Sequence, residues 1–204
     1  EHVRIGDTRV NITDWDEIAE DAAKKIYKAN SKTLTKDDYD ELETLMEDDL
    51  SWTTSDVVTY KSVTYKVSDY YSIPEINGGY LFEIDRYDDP LRFYTSRGTG
   101  ITVSKPEGIS SDMMNSLKSY YQAFENALYS VDFCTEYNGK TLRYNDFIDV
   151  ESFAKGFVAN ELFANLDYGV NSFYMYKNVD GKICYGPVWD MDMSCGCSAA
   201  SPGK

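Results

Sequence analysis

Asp167, Asn171, Asp190 and Asp192 lie close together near the C-terminal end of the sequence. Carboxylate and amide oxygens are hard ligands, suited to Mg²⁺, Mn²⁺ or Ca²⁺. Asp190 and Asp192 stand two apart on an expected strand, so their side chains are expected on one face. Neighbouring carboxylates repel unless a cation or a proton lies between them. The quartet therefore reads as a site for a metal ion and a phosphorylated substrate. Taken singly, each residue also fits a plainer role. Asp167 then caps a turn, Asn171 sits in a left-handed bend, and the later aspartates are exposed at a strand end.

The elements around them must do the positioning. "DVESFAKGFVANELFANL" reads as a helix with Phe153, Phe157, Val158, Leu162 and Phe163 on its apolar side. A turn over 167–171, a strand "SFYMYK", a turn "NVDGK" and a strand "ICYGPVWDMD" follow. Upstream, "RIGDTRVNI" reads as a hairpin about a Gly-Asp turn. A helix capped by Thr13 then carries Ile18, Ala22 and Ile26 on one face. "TKDDYDELETLMEDDL" is a second helix, with Tyr39, Leu42, Leu45 and Met46 inward and its acids forming a solvated face. Residues 57–103 turn to strands, with a hairpin turn at Arg97–Gly100. "ISSDMMNSLKSYYQAFENALYS" is a long helix lined by Met114, Leu117, Tyr121, Phe124 and Leu128. A composition shift near Glu107 separates the strand-rich part from a helix-led part, giving an α+β class.

Composition excludes several chemistries. His2 is the single histidine, which argues against Ser-His-Asp and Cys-His catalysis. A formal net charge of −15 argues against nucleic-acid binding, which needs a basic footprint. It also means that a bound polyphosphate requires a divalent cation or local Lys/Arg. No apolar run approaches the roughly 20 residues of a membrane span. Cys134, Cys184, Cys195 and Cys197 are too few for a disulfide scaffold, and the C-x-C pair alone is no zinc spacing.

An Asp, then an Asn, a strand, a turn, a second strand and another Asp is the order of parts in protein kinases. There one Asp orients the substrate hydroxyl, and the Asn and later Asp hold metal on the ATP phosphates. The stretch "DVESFAKGFVANELFANLDYGVNSFYMYKNVDGKICYGPVWDMDMSCG" resembles the CotH family, the spore-coat-protein-H-like atypical protein kinases. The shared marks are an N-x-D turn, an Asn, a "Y-x-Y-K" strand and a "G-P-x-W-D-x-D" signature before a glycine. "GGYLFEIDRY" and "EHVRIGDTRV" resemble segments of its bacterial secreted members. Met191 stands where an aromatic is common, and no H-R-D precedes the turn, as is general in that family.

The resemblance implies a divergent, atypical protein-kinase-like fold. It would comprise an incomplete N-terminal lobe (1–107) and a helix-led C-terminal catalytic lobe (108–204) of a chain truncated at both ends. It implies ATP and Mg²⁺ or Mn²⁺ as cofactors, and serine or threonine of secreted or coat proteins as phosphate acceptors. The setting implied is extracellular, the cell surface or the spore coat. Asp167 takes the catalytic position, and Asn171, Asp190 and Asp192 the metal positions. Lys105 is the first choice for a nucleotide phosphate contact, against a solvated strand-end lysine. Glu83 and Arg86 are further nucleotide candidates, against an exposed strand face. Glu1 could pair with a lysine as a kinase helix glutamate does. The alternatives to a kinase are a carbohydrate-binding or carbohydrate-active surface protein and a non-catalytic adhesion or scaffold module.

Overall fold

Short polar side chains set where the long helices begin. α1 (Trp15–Ala29) follows Asp14, whose Oδ1 accepts from the backbone N–H groups of Asp16 and Glu17 at 3.1 and 3.5 Å. The cap is thus Asp14 rather than Thr13, whose own N–H donates to Asn178 Oδ1 at 2.8 Å. α2 (Lys36–Asp48) opens with a capping box between Thr35 and Asp38. After the single turn α3 (Trp52–Ser55), the long helix α4 (Ser111–Tyr129) is capped by Ser110. α5 (Tyr144–Phe147) is again one turn, and α6 (Val150–Phe163) is capped by Asp149. The computed structural model describes residues 2–5, 8–11, 13–87 and 89–196. The expected turn at Gly6–Asp7, the reading of Glu1, and Cys197 lie outside the described residues.

Three antiparallel hairpins form separate two-stranded sheets: β1 (His2–Ile5) with β2 (Thr8–Asn11), β3 (Val57–Tyr60) with β4 (Val63–Lys66), and β8 (Cys134–Tyr137) with β9 (Lys140–Arg143). The main sheet joins β5 (Tyr80–Ile84), β6 (Arg92–Tyr94), β7 (Gly100–Lys105), β10 (Phe173–Lys177) and β11 (Ile183–Tyr185) in the order β11-β10-β5-β7-β6. Every pairing in it is antiparallel, and it draws strands from both sides of residue 107. The structure is α+β, as the sequence implied.

Period-two alternation gives this sheet a core face and a second face. Tyr80, Phe82, Ile101, Val103 and Met175 are buried, as are Met113, Leu117, Tyr121 and Ala127 of α4. Phe82 meets the Tyr121 ring edge-on at 6.2 Å. Each such apolar side chain contributes about 1.5–3 kcal/mol when fully buried. The inward stripe of α4 differs slightly from expectation. Met113 and Ala127 are buried, whereas Met114 is only partly covered and Leu128 is exposed.

α6 departs further. Its buried residues are Gly156 and Asn160, while Phe157, Val158, Leu162 and Phe163 are exposed. The reason is contact with β11. A Cβ at Gly156 would lie 2.1 Å from the Tyr185 ring, so only glycine lets helix and ring meet flush. Apolar content therefore misassigns the helix face. The acidic face of α2 is also not wholly solvated. Asp38 is buried, accepts from Tyr60 at 3.0 Å and is bonded to Lys61.

Candidate functional site

The acidic quartet is built from the C-terminal end of α6 and the chain beyond β11. α6 ends at Ala164, whose left-handed backbone (φ 48°) turns the chain back. The buried Asn160 amide donates to Gly156 O and to the Tyr185 hydroxyl at 2.8 and 2.7 Å. Its Oδ1 accepts from Asn165 Nδ2 at 2.8 Å, and Asn165 Oδ1 accepts from the Asp167 N–H at 3.2 Å. A relay of two amides thus ties β11 to the backbone of Asp167. The Asp167 carbonyl then accepts from Val170 and Asn171 at 2.9 and 3.1 Å. The left-handed backbone falls on Gly169 and Ser172, not on Asn171.

The second aspartate pair reaches the site by a different route from the one its spacing implied. β11 ends at Tyr185, so Asp190 and Asp192 lie beyond the strand. Pro187 has no N–H to extend the ladder, and Asp190 has φ 54°, which no strand residue adopts. A loop therefore brings the two carboxyls together, rather than strand alternation. Ser172 Oγ donates to Asp190 Oδ2 at 3.2 Å. Cys195 N–H donates to Phe163 O at 2.7 Å, and Asn165 Nδ2 lies 3.4 Å from Met191 Sδ. These contacts fasten the loop to the end of α6.

The electrostatics follow from that closure. A hydrogen bond shared with Asp190, then the charge of Asp190 and more weakly that of Asp167, push the Asp192 carboxyl up. Two carboxyls held this close share a proton or a cation. The Asn171 Oδ1 atom is buried and has no hydrogen-bond partner. An orphaned acceptor one residue before Ser172, which holds Asp190, fits a cation that is completed by a ligand. Among the described residues, no three His, Cys, Asp or Glu side chains form a ready-made metal cage. Mg²⁺ is ordinarily held by one or two carboxylates together with substrate phosphates and waters, so this donor set suits it.

The family model described as CotH kinase protein matches residues 4–201. The chain belongs to the CotH family. No curated protein and no solved structure matches it.

The nucleotide candidates of this CotH chain are spread along the sheet. Glu83 pairs with Tyr174, and Ile84 with Phe173, so Glu83 and Arg86 lie toward the end of β5 that approaches Asn171. Lys105 pairs with Leu81, which pairs with Tyr176, toward the opposite end. At about 3.3 Å per residue, Tyr176 is roughly 17 Å along the chain from Asn171. Glu83 is buried on the second face, where Ser104 Oγ lies 3.5 Å from its Oε1. Burial pushes its carboxyl up, against a hydrogen bond from Tyr174. Arg86 sits in an exposed bend. Lys105 binds Glu107 at 2.7 Å. The "GTG" stretch is a hairpin turn, with the Gly98 N–H donating to Thr95 O at 3.0 Å.

The positioning roles of Asn160, Asn165 and Ser172 are not evident from sequence, although Asn165 opens the N-x-D turn. Asn160, Asn165 and Ser172 carry no chemistry by type. The available signal was two amides inside and just after an otherwise apolar helix, where polar groups need partners.

Proposed function

We propose that this CotH-family chain transfers the γ-phosphoryl group of ATP to serine or threonine hydroxyls of secreted or coat proteins. The observation that carries the reading is the pairing of Asp190 with Asp192 within reach of the Asp167 charge, with Ser172, the neighbour of the orphaned Asn171, bonded to Asp190. The order helix, turn, hairpin, acidic loop supports a divergent kinase-like arrangement, with residues 1–107 and 108–204 as its two lobes. Asn171, Asp190 and Asp192 would hold a divalent ion. Bound there, Mg²⁺ or Mn²⁺ supplies charge neutralisation on the phosphates.

The remaining work belongs to the chain's own groups. Asp167 accepts a hydrogen bond from the acceptor hydroxyl and aims its oxygen, while the Asn160–Asn165 relay holds the Asp167 backbone still. Phosphoryl transfer depends on such positioning more than on a strong base, so a histidine-poor chain suffices. Glu83 and Arg86, toward the end of β5 that approaches Asn171, form the nucleotide side of the reading, with Lys105 set apart toward the other end. The coat or cell surface is the proposed setting. Among the described residues, no helix is long and apolar enough to cross a membrane.

The test is transfer of labelled phosphate from ATP to a serine-rich acceptor protein in Mg²⁺ or Mn²⁺. Asp167→Asn and Asp190→Asn are each expected to reduce transfer by at least about a hundredfold, the scale of a lost electrostatic contact in a transition state. Undiminished transfer in both variants contradicts the assignment.

A further inference from the structure

The outward side of α6 has the character of a core surface. Phe157, Val158 and Leu162 are 52%, 63% and 76% exposed, and Leu166 and Trp189 beyond the helix are exposed as well. Three large apolar side chains this exposed on one short helix point to a surface that something else covers. The same helix forms one wall of a cavity of about 510 Å³. Ala159 and Gly156 line it on the helix side, and Tyr176, Cys184 and Val188 on the strand side. That volume accepts one or two large side chains. Ridge and cavity together match the shape that receives an amphipathic helix through anchors one turn apart.

Charge selects the occupant. Asp149 and Glu151 line the cavity, and Lys155, the cation beside them, is already bound to Glu151 at 2.7 Å. The chain as a whole carries −15, so a second copy of it is repelled from this face. We propose that the outer face of α6 and the adjoining cavity dock an amphipathic helix of a partner protein, apolar along one side and edged with lysine or arginine. This interface is separate from phosphoryl transfer and does not depend on it.

The probe is a model helix of about 18 residues, leucine at i, i+3, i+4 and i+7 and lysine elsewhere. It is titrated calorimetrically into the 204-residue chain, with a shuffled peptide of the same composition and a glutamate-for-lysine peptide as comparisons. The expected result is one saturable site for the amphipathic lysine peptide alone. The double variant Val158→Ser with Leu162→Ser is expected to weaken it at least about tenfold, a loss of 1.4 kcal/mol. Ala159→Trp, which fills the cavity, is expected to weaken it as well. Both serine positions are exposed, so the circular dichroism spectrum and Tm should be unchanged. No binding, equal binding of either comparison peptide, or parental affinity in both variants overturns the proposal. So does a concentration-dependent dimer that Leu162→Ser disperses, which would make the face a self-interface.

Discussion

Asn171 would concentrate the proposed site's chemistry in one atom. A buried acceptor with no partner costs about 1–3 kcal/mol, and the unliganded chain carries that cost at Oδ1. Leucine has nearly the shape of asparagine without the unmet oxygen. Asn171→Leu is therefore expected to raise stability by about 1 kcal/mol in urea unfolding without ligand, while losing phosphoryl transfer. A destabilised variant would mean that the amide has a structural role instead. At this scale the residue types were legible, because acids and an amide so close in sequence ask for a common purpose. The geometry was not. Asp190 and Asp192 meet through a left-handed loop residue, and no periodicity argument reaches a loop.

α6 is the element on which the site rests, and also the one whose face was misread. Its apolar side chains advertise a core helix, yet burial falls on Gly156 and Asn160. Pattern reading weights hydrophobicity, whereas here the decisive quantities are the space for a ring and the satisfaction of an amide. Gly156→Ala puts a methyl against the Tyr185 ring. Despite the better helix propensity of alanine, it is expected to destabilise by about 1–3 kcal/mol, seen as a lower Tm. An unchanged or higher Tm would show that helix and ring can separate cheaply. The four long helices were legible from their period, whereas the β8–β9 hairpin and the one-turn helices α3 and α5 were not, and the cap read at Thr13 falls on Asp14. β11 was read too long, because "GPVW" continues an apolar run through residues that cannot pair.

Across the whole molecule, one sheet binds the two halves of the chain, and a buried lysine sits in its core. Lys177 Nζ donates to the carbonyl oxygens of Asn77 and Asn178 and lies 4.6 Å from the centre of the Tyr120 ring. Burial pulls its ammonium down to about 8. The unfolded chain then binds more protons than the native one between that value and the ordinary lysine value, so stability rises with pH there. Between pH 8 and 10 the gain is about 2 kcal/mol. Lys177→Met should flatten that rise in urea midpoints, and an identical slope in the variant would refute the assignment. Above this range the buried tyrosines, whose hydroxyls burial holds protonated, reverse the trend.

A metal–phosphate centre at the acid–amide cluster must bind Mn²⁺, which electron paramagnetic resonance reads. ATP is expected to tighten Mn²⁺ binding to the chain beyond what ATP alone provides, and Asp190→Asn with Asp192→Asn to weaken that binding at least about tenfold. Mn²⁺–ATP binding equal in the parent and the double variant would contradict it.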